Sequence, residues 1–575
     1  MVLLLGAAPS ARAELRIVSL GIHRDAASSE APGRGRSLTR PAGRNTLPTR
    51  ETQRFASLRA NRKRPLMTHS LPAIDPERLP AAVDVSDNSG ALAAVDAVVA
   101  AGPYDADWDT LRTYTPPQWY HDAKFGIFLH WGVYSVPAFN SEWYSRMMYR
   151  EGTEEFEHHR STYGEHRDFG YKDFIPSFTM ADFDPDAWAQ LFRQAGAQFV
   201  VPVAEHHDGF AMYNTERSRW SAARMGPERD VFGDLSAATD RAWMIRGASS
   251  HRAEHWFFMN GGSRFDSDVL LPEYQDFYGP AQREETAPNE RFLEDWLLRT
   301  VEIIDRYRPQ VLWFDWWIEH PAFKPYLARL AAYYYNRAAQ WGREVVINYK
   351  WDAFADGSAV YDIERGTMGG IRPEIWQNDT SVSKTAWSWV RNHQYKSVDD
   401  LIAELADVVS KNGVLLLNIG PKPDGTIPAE EQEILRSIGS WLAINGEAIY
   451  GTRPWAVAGE GPTQVAVGSF VDGEAAAFTG ADFRFTARTH VTGDYVYAIP
   501  LAKPEDDTLR IRAFGSGAGM LGSGIKKVTL LGSPEPVEWS RTPEVLTVYG
   551  AGSGVVKLWL EPDAVQPRKD FLHQW

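Results

Sequence analysis

The sequence predicts an α/β protein, a (β/α)8-like TIM barrel followed by a C-terminal antiparallel β-sandwich domain. Three observations predict it. Eight short apolar runs recur through residues 104–450, many of them separated by amphipathic helical stretches. Buried parallel strands read as such continuous runs, and their alternation with helices is the signature of βα units. Each run carries a polar residue at or near its end, as expected where barrel strands deliver functional groups to the C-terminal mouth. After about residue 451 the pattern changes to strands with apolar residues at alternate positions, punctuated by Gly, Asp and Pro.

The runs, in order, are FGIFLH (125–130), QFVVPVAEHH (198–207), MIRGASSH (244–251) and QVLWFD (310–315). They continue with EVVINY (344–349), AVYDIE (359–364), EIWQND (374–379) and GVLLLNIG (413–420). Asp184-Pro185 opens a helix as N-cap and first-turn proline. Residues 292–308 show helical spacing and stop before Pro309. Ser397 caps VDDLIAELADVVSKN, with Gly413 as the expected terminator. No Gly-rich phosphate loop follows any run, which argues against an open nucleotide-binding sheet. RFTARTH, YVYAIPLA, TLRIRAFG, IKKVTLLG and GVVKLWLEP supply the sandwich, whose expected role is packing against the barrel, with weak sugar binding as the alternative.

The domain expectation is therefore a disordered basic extension (1–66), a lead-in (67–103), the barrel (104–450), the sandwich (451–565) and a tail (566–575). Residues 1–66 hold 12 Arg and one Lys against four acids, while the whole chain carries −15. The stretch MTHSLPAIDPERLP reads as a natural N-terminus, so the native chain is expected to start at Met67. A basic tail with a partner and a secretory signal are the alternatives; the signal is weak, because its apolar run is short and no positive charge precedes it. The expected compartment is the cytoplasm, or outside the cell if that signal is genuine.

Composition narrows the function. Of 575 residues, 75 are acidic and 60 basic, a balance that repels phosphate backbones, so no nucleic-acid partner is expected. No apolar run is long enough for a membrane span. Cysteine is absent, excluding disulfides, thiolate metal sites and cysteine nucleophiles. The 22 Trp stand out: flat aromatic faces stack on the C–H faces of sugars, although a large aromatic core explains them equally well.

Asp315, in VLWFDWWIEH, is a carboxylate at the end of an apolar strand among Trp313, Phe314, Trp316 and Trp317. Burying it alone is costly, so it is either a paired structural aspartate or a nucleophile at a glycosyl centre. Glu364, in YDIERG, is either ion-paired with Arg365 or a general acid/base, with Glu319, Asp362 and Glu374 as rivals. Retaining glycosidases need two carboxyls about 5–5.5 Å apart, which strands four and six of a barrel permit. In EHHDGF, adjacent histidines on one strand point to opposite faces, so the expectation is sugar-hydroxyl hydrogen bonding with no metal and no cofactor. His130 in FLHWG and Glu142-Trp143 in SEWY fit the same role, with a buried, satisfied histidine as the alternative for His130. No G-x-S-x-G elbow supports a serine hydrolase.

Together, WYHDAKFGIFLHWGVYSVPAFNSEWY, FDPDAWAQLFRQAGAQFVVPVAEHHDGF, GPERDVFGDL, VLWFDWW and VVSKNGVLLLNIGPKPDGTIP resemble the retaining α-L-fucosidases of glycoside hydrolase family 29. The resemblance implies a catalytic barrel with a C-terminal β-sandwich. It also implies Asp315 as nucleophile in the W-x-D motif after Trp313, and sugar contacts from His130, Glu142, Trp143, His206 and His207. Glu364 is the expected acid/base from its order after VINYKW. Two departures stand out: the third strand ends in GASSHRAEHW where many members carry a tyrosine, placing His251 in that space, and DRAWMIRG lacks the glycine usual before that strand. The implied partner is a fucosylated oligosaccharide or glycoconjugate. The alternatives are a related substrate such as an L-galactoside, or a silent sugar-binding protein, the latter expected if Glu364 lies more than about 10 Å from Asp315.

Overall fold

The computed structural model describes residues 71–561 apart from 280, 473–476, 491–492 and 522–523. The expectations for the 1–66 extension and the 566–575 tail fall outside the described residues.

All eight predicted runs are strands: β1 (Phe125–Leu129), β2 (Phe199–Glu205), β3 (Ile245–Ser250), β4 (Val311–Phe314), β5 (Val346–Tyr349), β6 (Val360–Glu364), β7 (Trp376–Ser381) and β8 (Gly413–Ile419). Each pairs in parallel with the next, and β8 returns to β1, closing the barrel. Ile127 thus lies between Val200 of β2 and Leu417 of β8.

The helices around it include α1 (Pro185–Gln194), α2 (Val231–Arg241), α3 (Glu290–Tyr307), α4 (Lys324–Trp341), α5 (Val398–Ser410) and α6 (Ala429–Asn445), with the N-terminal helix Ser89–Ala101 packed on α3 and α4. Asp184 caps α1 by accepting from the Asp186 and Ala187 amides, and Ser397 caps α5 by accepting from the Asp400 amide at 3.1 Å. The left-handed residue after α5 is Asn412 (φ 73°) rather than Gly413, which instead starts β8. The missing glycine before β3 leaves the turn intact: Trp243 takes the left-handed position (φ 58°) with its ring exposed. That conformation costs about 1 kcal/mol relative to glycine. Among the described residues no helix separates β5 from β6 or β6 from β7, so residues 350–359 and 365–375 make these two parallel crossovers without one.

The barrel interior is apolar, with Phe128, Val201, Val203, Trp313, Val414 and Leu416 packed together. One polar thread runs through it: Asn348 donates to the Tyr120 hydroxyl (3.0 Å), which donates to Gln377 (2.7 Å), which donates to Asp362 (2.8 Å). The thread pairs each of these donors with an acceptor, while the buried Asn348 Oδ1 has no hydrogen-bond partner among the described residues.

The C-terminal strands are β9 (Arg453–Glu460), β10 (Phe483–His490), β11 (Gly493–Pro500), β12 (Leu509–Ile511), β13 (Ile525–Leu530), β14 (Trp539–Arg541), β15 (Leu546–Val548) and β16 (Val556–Leu560). They form a five-stranded antiparallel sheet, β13-β16-β11-β10-β9, and a three-stranded one, β12-β15-β14. Trp455, Phe485, Val496, Phe514 and Leu558 share one core. The five predicted runs are all strands; β9, β14 and β15 carried no sequence signal, two of them being only three residues long. The loop between β9 and β10 returns to the barrel. Gly468 and Thr367 exchange backbone bonds, Phe470 N–H donates to the Glu364 carbonyl and Val471 N–H to that of Arg365, both at 2.9 Å. Among the described residues no helix is long and apolar enough to cross a membrane.

Candidate active site

The polar strand ends do not all face the mouth, because side chains alternate along a strand. Glu205 turns outward to Arg252 and Arg299, and Asn378 turns outward to Glu404. Asn348 and Gln377 belong to the interior thread described above. The residues that do converge are His130, Glu142, Trp143, His206, His207, Trp313, Asp315 and Glu364, which line one cavity with Trp316, Lys350, Asp379 and Trp387. Since β2 ends at Glu205, His206 and His207 are free of strand alternation and both reach this cavity.

Asp315 follows β4 and is buried. Its Oδ1 accepts from the Trp316 amide at 2.8 Å, and its Oδ2 lies 2.8 Å from His251 Nδ1 and 3.2 Å from His207 Nε2. Lys350 Nζ stands 3.6 Å from Oδ1. Burial alone would raise its pKa, but Lys350 and the two imidazoles outweigh burial and hold the carboxyl well below the usual range.

The hydrogen-bond partners fix both tautomers. His207 Nδ1 faces the His251 carbonyl at 2.8 Å and its Nε2 faces the Asp315 carboxylate, two acceptors, so the ring is an imidazolium. Burial works against that charge, but Glu254, at 3.5 Å, and Asp315 prevail and raise its pKa. Burial pushes the His251 pKa down to about 4, so the ring is neutral: Nδ1 donates to Asp315, and Nε2 is left to accept from the Ser249 hydroxyl (3.0 Å). His251, expected as a sugar contact, therefore has both ring nitrogens engaged beneath Asp315 and is absent from the cavity wall.

His130 is satisfied on one side only. Its Nδ1 bonds Asn418 Oδ1 at 2.8 Å, which leaves Nε2 as an acceptor, and burial keeps the ring neutral. His206 is neutral for the same reason, and its buried Nδ1 has no hydrogen-bond partner among the described residues. A buried polar atom without a partner calls for one. Ring nitrogens of His130, His206 and His251 lie within 4.8 Å of one another, but a cation there would have to displace Asp315 or Ser249 from His251. Glu142 accepts from the Trp387 and Ser388 amides at 3.0 and 3.2 Å, and burial raises its pKa. Trp313 donates its indole N–H to Asp362 at 3.1 Å.

Glu364 ends β6. Its partner is not Arg365, which pairs with Asp472, but Lys350, whose Nζ lies 2.5 Å from Oε2. Burial, and repulsion from Asp315, raise the Glu364 pKa in spite of Lys350. Oxygens of Asp315 and Glu364 lie 3.6 and 2.5 Å from one nitrogen, so those two oxygens are at most 6.1 Å apart. Of the rivals, Asp362 is tied to Trp313 and Gln377, Glu374 is exposed, and Glu319 is absent from the cavity wall.

Lys350 and Asp379 escaped sequence reasoning. Nζ of Lys350 also approaches Asp379 at 3.4 Å and lies 4.9 Å from the Trp313 ring centre. Their signal was parity: Lys350 shares the inward face of Asn348, and Asp379 that of Gln377.

A closed parallel barrel whose mouth sets two unlike carboxyls among imidazoles and indoles has the make-up of a glycoside hydrolase. The sequence model for α-L-fucosidase matches residues 91–447. Human tissue α-L-fucosidase is 31% identical over 473 residues, 79% of this chain and 89% of that protein. Human plasma α-L-fucosidase is 31% identical over 444 residues, covering 76% and 86% respectively. The crystal structure of Thermotoga maritima α-fucosidase in complex with fucose superposes with a TM-score of 0.63 at 28% identity, covering 79% of this chain and all of that one. The chain belongs to the α-L-fucosidase family.

Proposed function

We propose that the protein hydrolyses α-L-fucosides of glycans or glycoconjugates with retention of configuration. The observation that carries this reading is the unequal pair: Asp315 held ionised, and Glu364 with a raised pKa, with oxygens no more than 6.1 Å apart. Retaining enzymes hold their carboxyls about 5–5.5 Å apart, a spacing with which this close approach of one oxygen from each carboxyl agrees. It also argues against a silent binding protein.

In this reading Asp315 attacks the anomeric carbon while Glu364 gives its proton to the departing oxygen. Glu364 then takes a proton from the water that releases the sugar. Formation of the covalent intermediate removes the charge of Asp315, which lowers the pKa of Glu364 and readies it as base. His130 Nε2, His206 and Glu142 read the hydroxyls, His207, with both ring nitrogens engaged, holds Asp315 in place at the cavity wall, and Trp143 and Trp313 supply apolar walls. A wall of that kind rejects an added hydroxyl only weakly, so L-galactosides are expected as slow substrates.

The test is turnover of an aryl α-L-fucoside by the full-length protein, with the anomer of the first-formed product read by NMR. The expected result is α-L-fucose first, and a loss of about 10⁴-fold in kcat/KM for Asp315→Ala. First release of the β-anomer would sink retention; activity surviving in Asp315→Ala would sink the nucleophile assignment.

A further inference from the structure

A second cavity opens beside the first and shares Trp316, Lys350, Glu364 and Phe470 with it. Its remaining wall is Trp351, Tyr361, Asp362 and Ser469. Two of these side chains are out of place by ordinary packing rules. Trp351 is 53% exposed and Phe470 is 59% exposed, although large aromatics are normally buried. Both also sit on left-handed backbone, with φ of 56° and 60°, a conformation unfavourable to a non-glycine residue. The two rings come from unrelated parts of the chain, one from the helix-free crossing after β5 and one from the loop between β9 and β10. Backbone bonds hold the second in place: Phe470 N–H donates to the carbonyl of Glu364 itself, at 2.9 Å.

Glu364 is the dividing wall. On one side it faces Asp315 and the histidines, where the glycosyl ring belongs under the reading above. A general acid must lie within hydrogen-bond reach of the oxygen it protonates, so the group attached to that oxygen extends past Glu364, away from Asp315. That direction is the second cavity. We propose that Trp351 and Phe470 form the binding site for the leaving group, and that they select a neutral pyranose ring whose C–H face stacks on the indole and phenyl. The aromatic walls offer flat apolar surface, while Ser469 and Tyr361 in the same wall offer partners for its hydroxyls.

The proposal rests on the fucosidase reading, and the experiment separates the two. The full-length protein is assayed on a fucosylated disaccharide and on α-L-fucosyl fluoride, whose one-atom leaving group reaches neither ring. The readout is the ratio of the two kcat/KM values. Trp351→Ala and Phe470→Ala are each expected to lower that ratio about 2–12-fold, the worth of one stacked ring. Trp351→Phe, which keeps a flat face, is expected to recover most of the loss. A parent active on both substrates whose ratio is unmoved by either alanine, or a Trp351→Phe variant as poor as Trp351→Ala, overturns the leaving-group site alone. A parent inert on both overturns the fucosidase reading and the site with it.

Discussion

The two halves of the barrel mouth solve the problem of buried charge differently. On the β1–β4 side, Asp315 is met by hydrogen bonds whose donors are fixed in turn: His251 by Ser249, His207 by a backbone carbonyl. On the β5–β7 side a single cation, Lys350, is shared by Asp315, Glu364 and Asp379, with Asp362 close behind. The first half is directional, so it fixes position and tautomer. The second is a charge balance, so it fixes pKa values and responds when any one charge changes. Under the proposed mechanism this division is apt, since the nucleophile must hold one protonation state and the acid/base must pass through two.

The contrast is open to direct attack. The largest effect is expected from Glu364→Gln, which removes proton transfer. It should lower kcat/KM about 10²–10⁴-fold for disaccharides, and far less for a leaving group that departs without a proton. An equal loss on both substrates would deny Glu364 the acid role. Next comes Lys350→Met. Asp315 has a lowered pKa and Glu364 a raised one, so activity should span a plateau bounded below by protonation of Asp315 and above by ionisation of Glu364. Lys350 lowers both pKa values, so its removal should shift both limbs of the pH profile of kcat/KM to higher pH, with a loss of about 10²-fold at the parent's optimum. Limbs that stay put would show that the cation is only structural. The smallest effect belongs to Ser249→Ala, which unpins His251 Nε2 while leaving every charge in place. A loss of about fivefold, ~1 kcal/mol, with an unmoved pH profile is expected; a moved profile would blur the distinction between the halves.

The same contrast explains what the sequence revealed. The histidine half was legible because HWG, EHHDG and WFD are compact strings at strand ends. The charge-balanced half was not. Glu364 was found by its order in the chain, but Lys350 lies one residue past Tyr349, where the apolar run stops. Asp379 was quoted at the end of EIWQND without its inward parity being noticed. The outward turn of Glu205 has the opposite cause: a polar strand end is evidence of a mouth only on one parity, and its true partners, Arg252 and Arg299, lie on elements with no motif. Trp351 and Phe470 had no readable signal, since an aromatic in a loop is indistinguishable by sequence from one in the core. The barrel was legible because eight apolar runs, many with helices between them, repeat one pattern, whereas β14, three residues with neither end buried, carries no such pattern.

The stitching of the 468–472 loop to the end of β6 also sets an order of assembly. Phe470 and Glu364 are joined by a backbone bond across 106 residues of chain, and Asp472 clamps Arg365 and Lys396 in the same way. Pairings of such long range form late and slowly. During synthesis every barrel strand leaves the ribosome before the residues that brace Glu364 exist. The barrel strands that carry Asp315 and its histidines are thus made well before the residues that brace Glu364.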